Sequence, residues 1–158
     1  MNFFGDKMLK RWLVQEGPVL GLYLFLTLIL TYPLITHLTS HVPGSYVDEY
    51  SFAWNYWWVR HALFDLGTDP FATSYIFYPL GVSLAFYTLT IFNVILAAPL
   101  LAFLDIIVAN NVIVLLSFTL SGYGAFCLAR YLLEEESLSA SPRLRVAASI
   151  LAGVVYAF

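Results

Sequence analysis

The feature that most constrains this chain is a set of long apolar stretches. The strongest is NNVIVLLSFTLSGYGAFCLARYLL, residues 110–133. A helix rises about 1.5 Å per residue, so about 20 such residues match a hydrocarbon core about 30 Å thick. GPVLGLYLFLTLILTYPLITHL reads as a first span over about residues 18–38, with Pro18 in its first turn and Pro33 late enough to kink or end it. LAFYTLTIFNVILAAPLLAFL, residues 84–104, is long enough to cross but is interrupted by Thr88, Thr90, Asn93 and Pro99. VAASILAGVVYAF, residues 146–158, reads as the start of a further span.

Composition agrees with a lipid solvent. Hydrophobic residues make up 61% of the chain and charged residues 11%, against about 45–50% and about 25% in soluble domains. The net charge of −3 and the lack of a basic patch exclude nucleic acid as a partner. The single cysteine, Cys127, excludes an internal disulfide and reads as a small packing residue.

Lys7, Lys10 and Arg11 precede the first span, and no small-x-small cleavage site follows it. The segment is therefore expected to be an uncleaved anchor with a cytoplasmic N-terminus. Residues 39–83 form a long aromatic loop whose basic residue is Arg60, and residues 134–145 form a short link bearing Arg143 and Arg145. If residues 84–104 crossed fully, that link would face outward. If they form a re-entrant or interfacial helix, both basic clusters are cytoplasmic. The Lys/Arg rule favours the second arrangement.

Within the loop stands GSYVDEYSFAWNYWWVRHALFDLG, with Asp48 and Glu49 before a dense aromatic patch. At 3.6 residues per turn, Tyr50, Trp54, Trp57, His61 and Phe64 share one face, and Asp48, Ser51, Asn55, Val59 and Ala62 the opposite one. This predicts an interfacial helix over about 48–64, with Trp and Tyr at headgroup level. The acids sit where the helix dipole favours negative charge, and Asp48 could simply cap the helix. A surface carboxylate could also accept a proton from an attacking hydroxyl, or hold a divalent cation against a phosphate.

The order of these features is similar to the opening of the GT-C superfamily of integral-membrane glycosyltransferases. It comprises the basic anchor, a first span, the outward Asp-Glu pair with its aromatic helix, FYPLG, the ANN start of the next span and an Arg-rich turn. YVDEYSFAWNYWWVRHAL and IFYPLGVSLAFYTLTIFNVILAAPL look like bacterial membrane proteins of that kind, among them lipid A aminoarabinose and protein mannosyltransferases. The resemblance implies an all-α, multi-pass protein of the cell membrane that takes a sugar from a polyprenyl-phosphate donor at the outer face. It implies Asp48, then Glu49, as catalytic carboxylates. The same pair would hold a divalent cation (Mg2+ or Mn2+) if one is used. Asn55, Arg60 and His61 become possible substrate contacts, each with a structural reading beside it: capping or packing, snorkelling, and membership of the aromatic face. Implied partners are the lipid-linked donor, membrane lipids, and the remaining spans of a longer chain or a partner subunit. Known members have many more spans, so the chain is expected to be the N-terminal part of a larger polytopic fold and inactive alone.

Other chemistries lack their residues. There is no glycine-rich phosphate loop and no hydrolase nucleophile motif. His37 and His41 are four apart, but they flank the expected membrane exit and make a weak zinc pair. The rival reading is a non-catalytic scaffold or transporter subunit. A transporter would place ionisable groups within its spans, whereas Asp48, Glu49, Asp65, Asp69, Asp105 and Glu134 to Glu136 lie in loops.

Overall fold

A computed structural model describes residues 16–44, 48–135 and 141–158. The basic cluster Lys7, Lys10 and Arg11 and the middle of the 134–145 link lie outside those residues. The chain is mostly α-helical, with one two-residue hairpin. In order come α1 (Gly17–Leu30), a 3-10 turn (Leu34–His37), α2 (Glu49–Arg60), a π-helical turn (His61–Leu66), β1 (Ala72–Thr73), β2 (Val82–Ser83), α3 (Ile91–Leu101), α4 (Ile106–Glu135) and α5 (Pro142–Ala157). Among the described residues α4 alone is long and apolar enough to cross a membrane. The chain divides into two compact units, Met1–Tyr32 with Val114–Phe158, and Pro33–Ile113.

The first unit is built from α1, the later turns of α4, and α5. Pro18 lies at the start of α1, where its missing N–H costs nothing. The continuous helix expected over 18–38 ends at Leu30, and the 3-10 turn follows Pro33, which cannot donate to the helix ladder. Tyr23 is completely buried, and its hydroxyl donates to Ile150 O at 3.0 Å. The ring fits because two helices offer glycine there. A methyl on Gly122 would come 2.7 Å from Tyr23 Cδ1, and one on Gly153 would collide with the Tyr23 hydroxyl and with Gly122 O at 2.5 Å. Small residues let helix backbones approach closely in this way. Thr119 Oγ1 lies 3.2 Å from Thr27 Oγ1 and 2.8 Å from Leu115 O. Glu16, buried at the start of α1, pairs with Arg130 at 2.8 Å and accepts from the Tyr123 hydroxyl at 3.3 Å. The Arg130 guanidinium also lies over Phe126, 5.1 Å from the ring centre. Helix α5 opens on Ser141, whose hydroxyl accepts from Leu144 N, followed by Pro142.

The second unit carries an apolar core. Tyr56, Val59 and Ala62 of α2 and its π-helical extension pack with Val94, Ala97 and Leu101 of α3, with Leu84 and Leu89 of the preceding loop, and with Ala109 and Ile113 of α4. The small face of α2 packs here together with Trp58, which is buried in the same core. Of the aromatic face, Tyr50 and Phe64 are exposed, whereas Trp54 and Trp57 are partly buried and pack against the core. Of residues 84–104, the helix covers 91–101 only, about 16 Å of rise. The hairpin pairs Ala72 with Ser83 and Thr73 with Val82, antiparallel. It needs Gly81, whose φ of 70° favours glycine and whose Cα lies so near Thr73 O that a methyl would sit 2.8 Å from it. Fully buried Asn111 fastens the segment after α1 within this unit. Its Nδ2 donates to Leu38 O at 2.8 Å and His41 O at 2.7 Å.

Candidate functional site

Asp48 and Glu49 meet different fates although they are adjacent. Asp48 precedes α2, is exposed, and makes no side-chain cap hydrogen bond; the capping expected of it does not occur. Its backbone φ of −92° and ψ of −28° are already helical, and its carbonyl accepts from Phe52 N at 3.1 Å. A capping side chain requires extended backbone at that position, so the carboxylate is released from capping. Glu49 folds inward. It is buried, and its carboxylate packs on Gly44, where a methyl would come 2.5 Å from Cδ. Gly44 has a φ of 152°, which side chains rarely adopt.

The other expected site residues are spread along α2. Asn55 is fully buried and spends its amide within the protein, donating to Thr88 O at 2.8 Å and to Thr90 Oγ1 at 3.2 Å. Thr90 stands at the start of α3 with a positive φ of 48°, so Asn55 fixes the entry into that helix. Asn55 Oδ1 is buried with no hydrogen-bond partner among the described residues. Tyr56 beside it is also buried, and burial pushes its phenol above the usual tyrosine range. Arg60 ends α2, exposed, and with Asp65 lines an otherwise apolar cleft of about 440 Å³ between Val59 and Leu63 on one side and Val94 and Ala98 on the other. Asp48 and Arg60 are twelve residues apart on one helix, about 18 Å along its axis. One sugar ring cannot touch both, but an extended lipid-linked molecule can.

His61 begins the π-helical turn, and both its ring nitrogens are engaged. Nδ1 lies 2.7 Å from Asp65 Oδ2, and Nε2 lies 3.1 Å from the Tyr75 hydroxyl. The ring stacks on Trp57 at 5.0 Å and 16°. Trp54 and Trp58 stack at 5.8 Å and 7°, and the Trp58 indole N–H donates to Pro70 O at 2.8 Å. Asp65 and Tyr75 were not among the expected site residues. The His61–Asp65 spacing of four was a usable signal, because such pairs face each other on a helix. Tyr75 arrives through the hairpin and carries no such signal.

Among the described residues no group of three or more His, Cys, Asp or Glu gathers to hold a metal. The His37 and His41 rings meet edge to face at 4.9 Å, with each Nδ1 close to a neighbouring hydroxyl, Thr36 Oγ1 at 2.9 Å and Ser40 Oγ at 2.8 Å. Comparison with protein-family models, with curated proteins and with solved structures gave no match.

Proposed function

We infer that the chain is the N-terminal portion of a membrane glycosyltransferase that moves a sugar from a polyprenyl-phosphate donor to an acceptor at the outer face. The observation that carries the reading is the exposed Asp48 carboxylate at the mouth of α2, uncommitted to capping while its neighbour Glu49 is folded away. A carboxylate so placed accepts the proton of an acceptor hydroxyl as that oxygen attacks the sugar's anomeric carbon, while the lipid phosphate leaves. Glu49 lies behind it, packed on Gly44, and helps fix the start of the helix. Asn55 sets the register between α2 and the entry to α3. Arg60, at the far end of α2 beside an apolar cleft, offers a cation to a lipid phosphate whose chain lies along the apolar wall.

The membrane setting is supported by side chains that water would not tolerate in such number. Phe25, Leu30 and Tyr32 in one unit, and Phe64, Phe77, Tyr78, Leu80, Phe86, Phe92 and Phe103 in the other, are all exposed. Soluble monomers rarely present so much large apolar surface. The short α3 supports a re-entrant or interfacial segment rather than a crossing. Any divalent cation would be held by the Asp48–Glu49 pair together with the donor's phosphate, since the described residues gather no group of three or more ligands. Mg2+ is commonly held by one or two carboxylates with substrate phosphates and water completing the shell.

The test is Asp48→Asn in the full-length protein. The amide keeps the size and removes the basic oxygen from a side chain that makes no cap, so transfer from a polyprenyl-phosphate donor should fall about 10²–10⁴-fold with insertion and melting unchanged. Near-wild-type transfer by that variant would overturn the catalytic role of Asp48.

A further inference from the structure

A second cleft, of about 530 Å³, opens in the Pro33–Ile113 unit between the end of α2 and the hairpin. Its size falls among small-molecule sites, which span about 300–1,000 Å³. Trp58, 2% exposed, closes its floor, and Tyr75, 56% exposed, stands in its wall. Thr68, Thr73, Ser74 and Ser83 supply hydroxyls around the same space, and no charged residue lines it. An anionic or cationic ligand would find no counter-charge in this lining. A neutral ligand with an apolar ring face and several hydroxyl edges meets every requirement of the lining.

The Asp65–His61–Tyr75 chain determines what Tyr75 offers to such a ligand. A carboxylate accepts and cannot donate, so His61 Nδ1 carries the hydrogen toward Asp65 Oδ2 at 2.7 Å. When the imidazole is neutral the other nitrogen is an acceptor, and Nε2, 3.1 Å from the Tyr75 hydroxyl, then takes its hydrogen. The lone pairs of the phenol oxygen are left to accept from a ligand hydroxyl. The ring is held in place by Trp57, edge-on at 5.5 Å, and by Trp58 at 5.4 Å. Thr73 is fixed as well, because its Oγ1 accepts from Tyr75 N at 3.1 Å and its backbone pairs across the hairpin with Val82.

We propose that this cleft binds a neutral saccharide ring, with Tyr75 accepting a hydrogen bond from a sugar hydroxyl and His61 and Asp65 acting as positioning residues. The inference stands on the cleft's own lining and does not need Asp48 to be catalytic. The experiment is therefore a binding measurement with no transfer step, so its failure and failure of the transferase reading are separate results.

The full chain in lipid nanodiscs is titrated with methyl glycosides of glucose, galactose and mannose, and with glucose 6-phosphate as the charged control. The readout is tryptophan emission, since the rings of Trp57 and Trp58 pack against Tyr75. At least one neutral glycoside should give a saturable change at millimolar concentration, and the phosphate should bind more weakly. Tyr75→Phe keeps the ring and removes the acceptor, and should raise Kd about 2- to 10-fold, the worth of one neutral hydrogen bond. Asp65→Asn should raise Kd too without moving the melting transition, because a carboxamide no longer fixes the His61 tautomer. Absence of saturation by all three glycosides, tighter binding of glucose 6-phosphate, or an unchanged Kd in Tyr75→Phe would each overturn the proposal.

Discussion

The two units of this protein use their polar groups in opposite ways. In the unit made of α1, the later turns of α4 and α5, the buried polar groups described close on partners within the unit. Tyr23 bonds Ile150 O, Thr119 meets Thr27, Ser149 donates to Arg145 O at 2.9 Å, and Glu16 takes both Arg130 and Tyr123. In the Pro33–Ile113 unit, polar capacity is left over. The Asp48 carboxylate is exposed, and a hydroxyl-lined cleft stands open beside Tyr75. Groups that are all satisfied rigidify a scaffold, whereas unspent acceptors are what a ligand can use. Substitutions in the first unit should therefore move stability and spare binding, and those at Asp48 or Tyr75 should do the reverse.

The largest test of the scaffold side is Glu16→Ala. Removing one member of a buried pair costs about 3–5 kcal/mol, because the other charge remains without compensation. A third of the Arg130 side chain is exposed, so the low end, about 3 kcal/mol, is expected. Glu16→Gln should cost less, since its amide oxygen still accepts from Arg130 and Tyr123. Denaturant melts in detergent measure both. Glycoside affinity should be unchanged in either variant, and a parallel loss of affinity would break the division between the units.

Next comes Gly153→Ala. The new methyl would meet the Tyr23 hydroxyl and Gly122 O, and overpacking of this kind costs about 1–3 kcal/mol. The same melts read it. A neutral result would mean that α5 slides away from Tyr23 at little cost, so that this unit is looser than its closed hydrogen bonds imply.

What the sequence made legible follows the same division. The apolar run at 110–133 lies within α4, where its long uninterrupted apolar character outweighs the weak helix preference of Gly122, Gly124 and its β-branched residues. Pro33 marked the break after α1 for a local reason. The aromatic helix could be placed because its period is local too, and the structure forms it as Glu49–Arg60 with a π-helical extension. Its orientation was less accessible, since which face packs depends on Val94, Ala97 and Leu101 more than thirty residues away. The parting of Asp48 from Glu49 was hidden as well. It depends on Gly44 holding a backbone angle suited to glycine, and adjacency in sequence says nothing of that. Tyr75 reaches His61 only because Gly81 lets the hairpin close.

The smallest effect expected is at the Thr27–Thr119 contact, and it discriminates between two origins of the scaffold's closure. Thr119→Val keeps the shape of the side chain and removes the hydroxyl that meets Thr27 Oγ1 at 3.2 Å and Leu115 O at 2.8 Å. A hydrogen bond of this kind contributes about 0.5–1.5 kcal/mol net. In the membrane setting proposed above the expected average is lower, about 0.6 kcal/mol, because separated helices find other partners in the same lipid. Part of the Thr119 bond is to its own helix and survives helix separation, so the interhelical share is smaller than the whole. A double-mutant cycle with Thr27→Val and Thr119→Val isolates that share, and a coupling of about 0.6 kcal/mol is expected. A coupling indistinguishable from zero, beside a full cost for Gly153→Ala, would make the closure steric. The buried hydroxyls would then be accommodated by the packing of Tyr23 between two glycines rather than responsible for it.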